Sequence, residues 1–530
     1  MTYYLLSIFW FIRQIKAFLF WLYLWQLKEY HIGRFIDHFR TEKGKRVLFN
    51  KLSFLKLFLF FTLLIIRPAP VMIYILLAVY LLESGKAFSD FFQKKLQKPV
   101  FTIKTYLLIT IILVFQTLFI FLIFGGDLFL QSILLFDILT PALVSGIVLF
   151  FQPLIVLWRR QLIRRAKLKR KKLKNLLVIG ITGSYGKTST KEFLATILEE
   201  RFKVLKTKEH QNSETGISQC ILNDLREEHE VFIVEMGAYN KGGIRLLCDI
   251  TQPKIGVLTG INEQHLALFG SLEKIIQTKY ELIQSLTNGG LAIFNGDNTH
   301  CFKLWGKTTL PKKIYSLQSL IYEIPSDIWA YNIKSEKESL SFRVVTKEEQ
   351  TDFRMNLMGE QNISNILAAT TVAKELGLTL EEISKACQKI KPEQGAMKLL
   401  KRKDGLNVID SIYSANPDGV ISHLDYLKVW EGQKIIIMPC LIELGGASGE
   451  AHKQIGQKIG EVCDFAIITT REKFREIKRA AIEKGMEEES ILFMENPKLI
   501  YEKLRTLGKP GDIILLEGRV PNQLINLLRE

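Results

Sequence analysis

"VIGITGSYGKTSTKEF", residues 178–193, decides how the rest of the chain is read. The apolar run "LLVIGIT" predicts a buried strand, and "KTSTKEFLATILEE" predicts a helix that follows it across a short glycine loop. A helix starting at such a loop aims its free N–H groups and the positive end of its dipole at the loop, and phosphate is the anion that fits there. Gly183 and Gly186 let the backbone turn tightly. Ser184, Tyr185, Lys187, Thr188 and Ser189 complete the candidate nucleotide-binding set. Lys187 is the residue to bridge the β- and γ-phosphates, and Thr188 the one to offer a hydroxyl to Mg2+. The common phosphate loop is spaced G-x-x-x-x-G-K-[ST], and its first glycine would fall at Ile181. The spacing here is the shorter G-x-x-G-K-T-[ST].

Downstream, strands and helices alternate, as in a mostly parallel α/β sheet. "EVFIVEMGAYNKGGI" (230–244) is a second buried strand ending in Glu235. Acids at strand ends face the crevice where open α/β sheets bind ligands, so Glu235 is a candidate to hold Mg2+ opposite Thr188. "IGVLTGINEQHLALFGS" (255–271) is a third strand, followed by His265. "KIIQTKYELIQSL" (274–286) is a helix carrying Lys279, and "GGLAIFNGDN" (289–298) is a strand ending at Asn295 and Asp297. Taken singly these are weak signals. A lone histidine after a strand is more often a satisfied core or surface residue, and a lone helical lysine is usually solvated.

Taken in order they are not independent. "GSYGKTST", "NSETGIS", "EMGAYNKGGI", "NEQHLALFGS", "TKYEL" and "NGDN" together resemble the central ATPase domain of the Mur ligase family. "LMGEQNISNILAATTVAKELGL" (357–378) is similar to the helix that closes that domain. "VIDSIYSANPDGVISHLDYL" (408–427), "KIIIMPCLIELGGASGEAHKQIG" (434–456) and "GDIILLEGRVPNQLINLL" (511–528) are similar to the family's smaller carboxy-terminal α/β domain. The resemblance covers residues 175–530.

The resemblance implies ATP-dependent amide synthesis in peptidoglycan precursor assembly. A muramyl peptide carboxylate becomes an acyl phosphate and is then attacked by D-alanyl-D-alanine or a similar amine. It implies catalytic roles for Lys187, Glu235, His265 and Lys279. Thr188 and Glu235 hold one Mg2+, while His265 and Lys279 take the second-metal positions, with Lys279 N6-carboxylated. Asn295 and Asp297 contact the adenosine part of the nucleotide. Asn212, Asp410, Tyr413, Asn416 and His452 line the substrate side of the cleft. Three departures from the family pattern stand out. Apolar segments occupy the place of a UDP-binding domain. "PEQGAMKLL" (392–400) has Ala396 where an arginine is expected, with Lys398 or Lys401 as substitutes that lack the bidentate fork. Pro439-Cys440-Leu441 replaces a stretch that carries an acid.

Residues 1–157 are dominated by Leu, Ile and Phe and predict four or five membrane helices. The first, 3–25, carries Arg13 and Lys16 in its middle. A charge at the bilayer centre costs at least about 2.5–3.5 kcal/mol, so this segment either lies in the interface or packs inside a bundle. Two stretches flanking "RPAP" (67–70) read as a hairpin with Arg67 facing outward, and segments 106–124 and 127–158 form a second one. No cluster of intramembrane acids is apparent. The loops 26–52 and 84–104 and the run 159–174 are rich in Lys and Arg, which puts them in the cytoplasm. The run "RRQLIRRAKLKRKKLK" (159–174) contains no acid and reads as an anchor for anionic lipid rather than a nucleic-acid site.

The net charge of +17 is concentrated near that junction. Six cysteines, none in a C-x-x-C pair and all in the second half, read as reduced and mostly buried thiols. The expected organisation is a membrane domain (1–158), a basic juxtamembrane linker (159–174), a central ATP-binding domain (175–391) and a carboxy-terminal domain (392–530). The expected location is the cell membrane, multi-pass, with the catalytic domains in the cytoplasm. The expected partners are membrane lipid, a soluble or lipid-linked muramyl peptide and the amine, and no nucleic acid. A poly-γ-glutamate synthase-like ligase and a non-catalytic nucleotide-binding scaffold are the alternatives.

Overall fold

The computed structural model describes every residue except 29, 66–69, 94, 210, 287, 288, 322, 396, 413, 414 and 530. The chain divides into two compact units, Met1–Trp158 and Arg159–Glu530.

The first unit is helical. Its long helices are Thr2–Leu27, Lys51–Ile65, Pro70–Phe92, Ile103–Ile123 and Phe129–Phe150. Among the described residues, five helices are long and apolar enough to cross a membrane. Their cores are built from Leu6, Trp10, Tyr80, Phe129 and Ile133 at one level and Phe18, Trp25, Leu108 and Val148 at another. Phe58, Phe61, Phe121 and Phe150 stay exposed, so the outer surface is apolar too. "RPAP" and Arg67 lie outside the described residues except for Pro70, which begins a helix.

Arg13 is packed inside this bundle, and the structure reveals a charge cluster where the sequence reading expected none. Arg13 Nη1 lies 2.7 Å from Asp137 Oδ1, and its Nε lies 3.2 Å from Glu83 Oε1. Lys56 Nζ lies 2.5 Å from both Glu83 Oε2 and Asp137 Oδ2. Gln14 donates to Asp137 (2.8 Å), Tyr80 OH donates to the same carboxylate (3.3 Å), and Thr140 donates to Gln14 (2.9 Å). The four charged residues come from four different helices, so sequence periodicity does not display the cluster. Lys16 is paired separately with Asp90 at 2.5 Å.

The second unit holds two α/β domains. The larger has strands β1 (Leu177–Thr182), β2 (Val204–Lys206), β3 (Val231–Glu235), β4 (Ile255–Leu258), β5 (Leu291–Asn295) and β6 (Lys312–Ser316). A small ribbon, β7 (Leu320–Ile321) and β8 (Ile324–Pro325), leads to β9 (Ile328–Ser335), β10 (Leu340–Val345) and β11 (Gln350–Met355). The nine-stranded order is β11-β10-β9-β6-β5-β4-β1-β3-β2, parallel from β2 to β9 and antiparallel only at the β9-β10-β11 end. Successive strand residues point to opposite faces. Ile179 and Ile181 therefore pack under helices Lys187–Leu198 and Gln361–Glu375, while Val178 packs against Glu214–Asn223 and Gly243–Thr251 on the other face.

The run 159–174, expected as a linker, is largely helix and packed. Helix Gln152–Lys172 buries Ala166 in the core beside Val178 and Ile217. The Arg170 guanidinium donates to the carbonyls of Thr251 (2.9 Å), Leu173 (2.9 Å) and Leu176 (3.2 Å).

The smaller domain has β12 (Lys398–Lys401), β13 (Asn407–Ser411), β14 (Lys434–Met438), β15 (Phe465–Ile468), β16 (Ile491–Phe493) and β17 (Ile513–Glu517). Their order is β12-β13-β17-β14-β15-β16, antiparallel only at β12-β13. The fold is therefore two mostly parallel sheets, with the glycine loop at the carboxyl end of β1. All six cysteines are buried and free.

Candidate active site

The loop after β1 closes on itself. Gly186 caps helix Lys187–Leu198 with φ +77°, and a Cβ there would meet the Asn365 side-chain oxygen at 2.4 Å, so the position demands glycine. Lys187 Nζ folds back to donate to the carbonyls of Gly183 (2.8 Å) and Ser184 (3.1 Å). Burial pulls the pKa of this amine down, partly opposed by Glu235.

Glu235 ends β3 beside that loop. Thr188 Oγ1 donates to Glu235 Oε2 at 3.0 Å, Asn212 Nδ2 donates to Oε1 at 3.1 Å, and the Glu235 N–H is held by Thr207 Oγ1 at 3.1 Å. Burial pushes this carboxyl upward, but Lys187 and Lys191 outweigh it and hold the group below its ordinary value. A hydroxyl and an ionised carboxylate this close form a hard-oxygen pair of the kind Mg2+ takes in phosphate sites.

Lys279 is buried on helix Leu272–Gln284 and makes no hydrogen bond or ion pair to another described residue. Burial, aided by the Lys187 charge, lowers its pKa to about 7. The amine is thus substantially neutral near pH 7, the form that can react with CO2. His265, with φ +66°, points Nδ1 at Glu443 Oε2, 2.6 Å away in the smaller domain. Burial depresses its pKa, and Glu443 partly restores it. Among the described residues no three His, Cys, Asp or Glu side chains group as a metal cage. The pair expected at a second metal, His265 and Lys279, offers one imidazole and one amine, and the carboxylate beside that imidazole is Glu443.

Asn295 and Asp297 spend their polar atoms on local architecture. Asn295 donates to the Thr259 carbonyl at 2.8 Å, and Asp297 accepts from Ser316 Oγ (2.5 Å) and Leu317 N (2.9 Å). Burial raises the Asp297 pKa. Asp410 pairs with Arg529 at 3.2 Å. Asn416 caps helix Pro417–Tyr426 and also accepts from Asn262 Nδ2 at 3.1 Å, which joins the two α/β domains. Tyr413 and Ala396 lie outside the described residues. Lys401 pairs with Glu338, and Lys398 is exposed.

His452, expected on the cleft wall, is fully buried instead. Its Nδ1 meets the Ser448 carbonyl at 2.6 Å, and its Nε2 accepts from Leu441 N–H at 2.9 Å. Nε2 thus braces the Pro439-Cys440-Leu441 stretch, while Nδ1 is committed to the first turn of the histidine's own helix. The reason is periodicity: His452 shares a helix face with Ile455 and Ile459, which are buried in the same core.

Three site residues escaped the sequence reading. Lys191 is wholly buried, 3.2 Å from Glu192 and 3.4 Å from Glu235. Its place one helical turn after Lys187 was the available signal. Asn262 reaches both Asn416 and Asp418 (2.9 Å). Glu443 is the partner of His265. Both lie inside motifs quoted above, but their partners are far away in sequence.

The fold and the loop define a phosphate-binding α/β protein whose sheet carries a second α/β domain over its carboxyl edge. Residues 181–373 match the Mur ligase middle domain, and 397–520 match the Mur ligase glutamate ligase domain. The UDP-N-acetylmuramoyl-tripeptide–D-alanyl-D-alanine ligase of Haemophilus influenzae is 30% identical over 301 residues, 56% of this chain and 64% of that protein. The chain therefore matches less than two thirds of that relative's length. The Bacillus subtilis ligase of the same name is 26% identical over 357 residues, 67% of this chain and 75% of its own. Among solved structures, MurF from Acinetobacter baumannii aligns with a TM-score of 0.63 at 25% identity, covering 70% of this chain and 81% of that one. MurF ligase from Thermotoga maritima in complex with ADP aligns at 0.61 and 26%, covering 70% and 83%. The chain belongs to the Mur ligase family.

Proposed function

We propose that this protein is a membrane-embedded, ATP-dependent amide ligase of peptidoglycan precursor synthesis, joining D-alanyl-D-alanine or a similar amine to a muramyl peptide. The observation that carries the reading is the convergence of Lys187, Thr188, Glu235 and Lys279 at the glycine loop, beside His265 and its cross-domain partner Glu443. A site for phosphate alone would not need the smaller domain held against it.

The substrate carboxylate attacks the γ-phosphorus of ATP, ADP leaves, and an acyl phosphate remains. The amine then attacks the acyl carbon, a tetrahedral intermediate forms, and inorganic phosphate leaves with the amide made. Phosphoryl transfer needs placement and charge neutralisation more than covalent help. Lys187 and the N–H groups of helix Lys187–Leu198 supply both at the phosphates. Thr188 and Glu235 would hold one Mg2+, while His265 and an N6-carboxylated Lys279 would hold a second; bound there, the ions would neutralise phosphate charge. Asn295 and Asp297 shape the turn against which the adenosine part rests, and Asn212, Asp410, Tyr413 and Asn416 belong to the substrate side.

The five apolar helices support a multi-pass location in the cell membrane, with Arg159–Glu530 in the cytoplasm. Such confinement raises the effective concentration of a lipid-linked acceptor, whereas a soluble UDP-linked one needs no anchor.

Product mass tests the reading. Full-length protein is given ATP, D-alanyl-D-alanine and a UDP-linked or lipid-linked muramyl tripeptide. The expected product equals the two substrates minus water, with one ADP and one phosphate released per bond. Repeated addition of glutamate would make it a polyglutamate synthase. Nucleotide binding with no phosphate release under any pairing would make it a scaffold.

A further inference from the structure

The packed basic helix leaves a furrow of about 560 Å3 against the larger α/β domain. Its apolar lining is the half-buried Ile163 of the helix and Leu246 of Gly243–Thr251, with the exposed Leu168 of the helix beside them. Its rim is cationic. Arg159 is tied to Glu214 at 2.8 Å, and Lys167 lies 3.8 Å from Asp249. Arg160, Arg164 and Lys171 also line the furrow, are exposed, and form no ion pair among the described residues. No aromatic side chain lines it, so nothing there would stack a base. Arg159 directly follows Leu157 and Trp158, both exposed on the same helix, an apolar-to-basic transition of the kind found at a membrane surface.

We propose that this furrow binds an anionic membrane phospholipid, with hydrocarbon on the apolar lining of Ile163, Leu168 and Leu246 and the phosphate on Arg160, Arg164 and Lys171. Three unpaired cations beside an apolar lining match a ligand that is charged at one end and apolar at the other. A soluble anion would leave that lining wet, and an uncharged lipid would leave the rim unneutralised. The furrow thus gives the catalytic unit its own lipid contact, separate from the apolar helices. The inference rests on the reading that those helices lie in a membrane.

The test uses full-length protein in vesicles containing phosphatidylglycerol with a photoactivatable group near the head of one acyl chain, with adducts mapped by mass spectrometry. Adducts are expected on 159–171 and on the peptide containing Leu246. Excess phosphatidylglycerol should suppress them and inorganic phosphate should not. The triple variant R160Q/R164Q/K171Q should weaken lipid capture at this site by about a hundredfold, given the worth of each basic residue near an anionic surface. Equal suppression by inorganic phosphate would overturn the proposal in favour of a free-anion site. Adducts confined to 1–158, in protein that resists alkaline carbonate extraction, would overturn the furrow and leave the membrane reading intact. Extraction of the protein by carbonate would sink the membrane reading, and the proposal with it.

Discussion

The protein buries charge in two places and treats it in two ways. In the helical unit, Arg13 and Lys56 face Glu83 and Asp137, two cations against two anions, with hydrogen bonds from Gln14 and Tyr80. At the glycine loop, Lys187, Lys191 and Lys279 crowd around Glu235, while Glu192 is shared between Lys191 and Lys206. The first cluster is balanced in charge. In the second, even with the Lys279 amine substantially neutral, Lys187, Lys191 and Lys206 face only Glu235 and Glu192, and a polyphosphate would offset that positive excess. Buried charges are tolerable only when paired, so a balanced cluster reads as architecture and an unbalanced one as a site waiting for its anion.

The largest effect should come from unbalancing the balanced cluster. Asp137→Asn leaves Arg13 and Lys56 sharing Glu83 and should destabilise the helical unit by about 3–5 kcal/mol, seen as a lower Tm in detergent with ATP binding by the second unit retained. An unchanged Tm would mean that the cluster is not structural.

Lys187→Ala should cut ligation by about a hundredfold or more, or roughly 2.7–4 kcal/mol of transition-state stabilisation, in protein that remains folded. Turnover within about threefold of the parent would remove Lys187 from the phosphate site.

Lys279 sharpens the contrast through pH. Its pKa falls from the ordinary 10.5 to about 7 in the fold, so the folded state resists the proton that the unfolded chain holds. That penalty is full below pH 7 and fades as pH rises from 7 to 10.5. Without nucleotide and CO2, Lys279→Met should therefore raise Tm most in mildly acidic buffer, with the gain shrinking toward alkaline pH. A pH-independent difference would show that the amine titrates normally. In the ligation assay Lys279→Ala should be inactive and partly rescued by short carboxylic acids, which return the missing anion.

Glu443→Gln should have the smallest effect. A charge-assisted hydrogen bond contributes about 1.5–3 kcal/mol, and His265 is partly exposed, which places this one at the low end or below. Faster amide exchange at residues 262–268, with the two sheets unaffected, is the expected signature.

The strand–loop–helix at 178–193, Glu235 at the end of β3 and the order of the later motifs were legible because each is local. Glycine spacing, apolar runs and a polar residue at a strand terminus are written within a few residues of one another. The sign of the basic run was equally legible, but its state was not. It packs as a helix because Ala166 meets Val178 and Ile217, and because Arg170 finds three carbonyls. His452 looked like a cleft residue, yet its helix face turned it into the core. The Arg13–Lys56–Glu83–Asp137 cluster, the Lys191–Glu235 contact and the His265–Glu443 pair were decided by tertiary structure alone. Charge pairing acts over a few ångströms of space and carries no sequence period, so two residues far apart in the chain become partners only once the helices and sheets that hold them have packed.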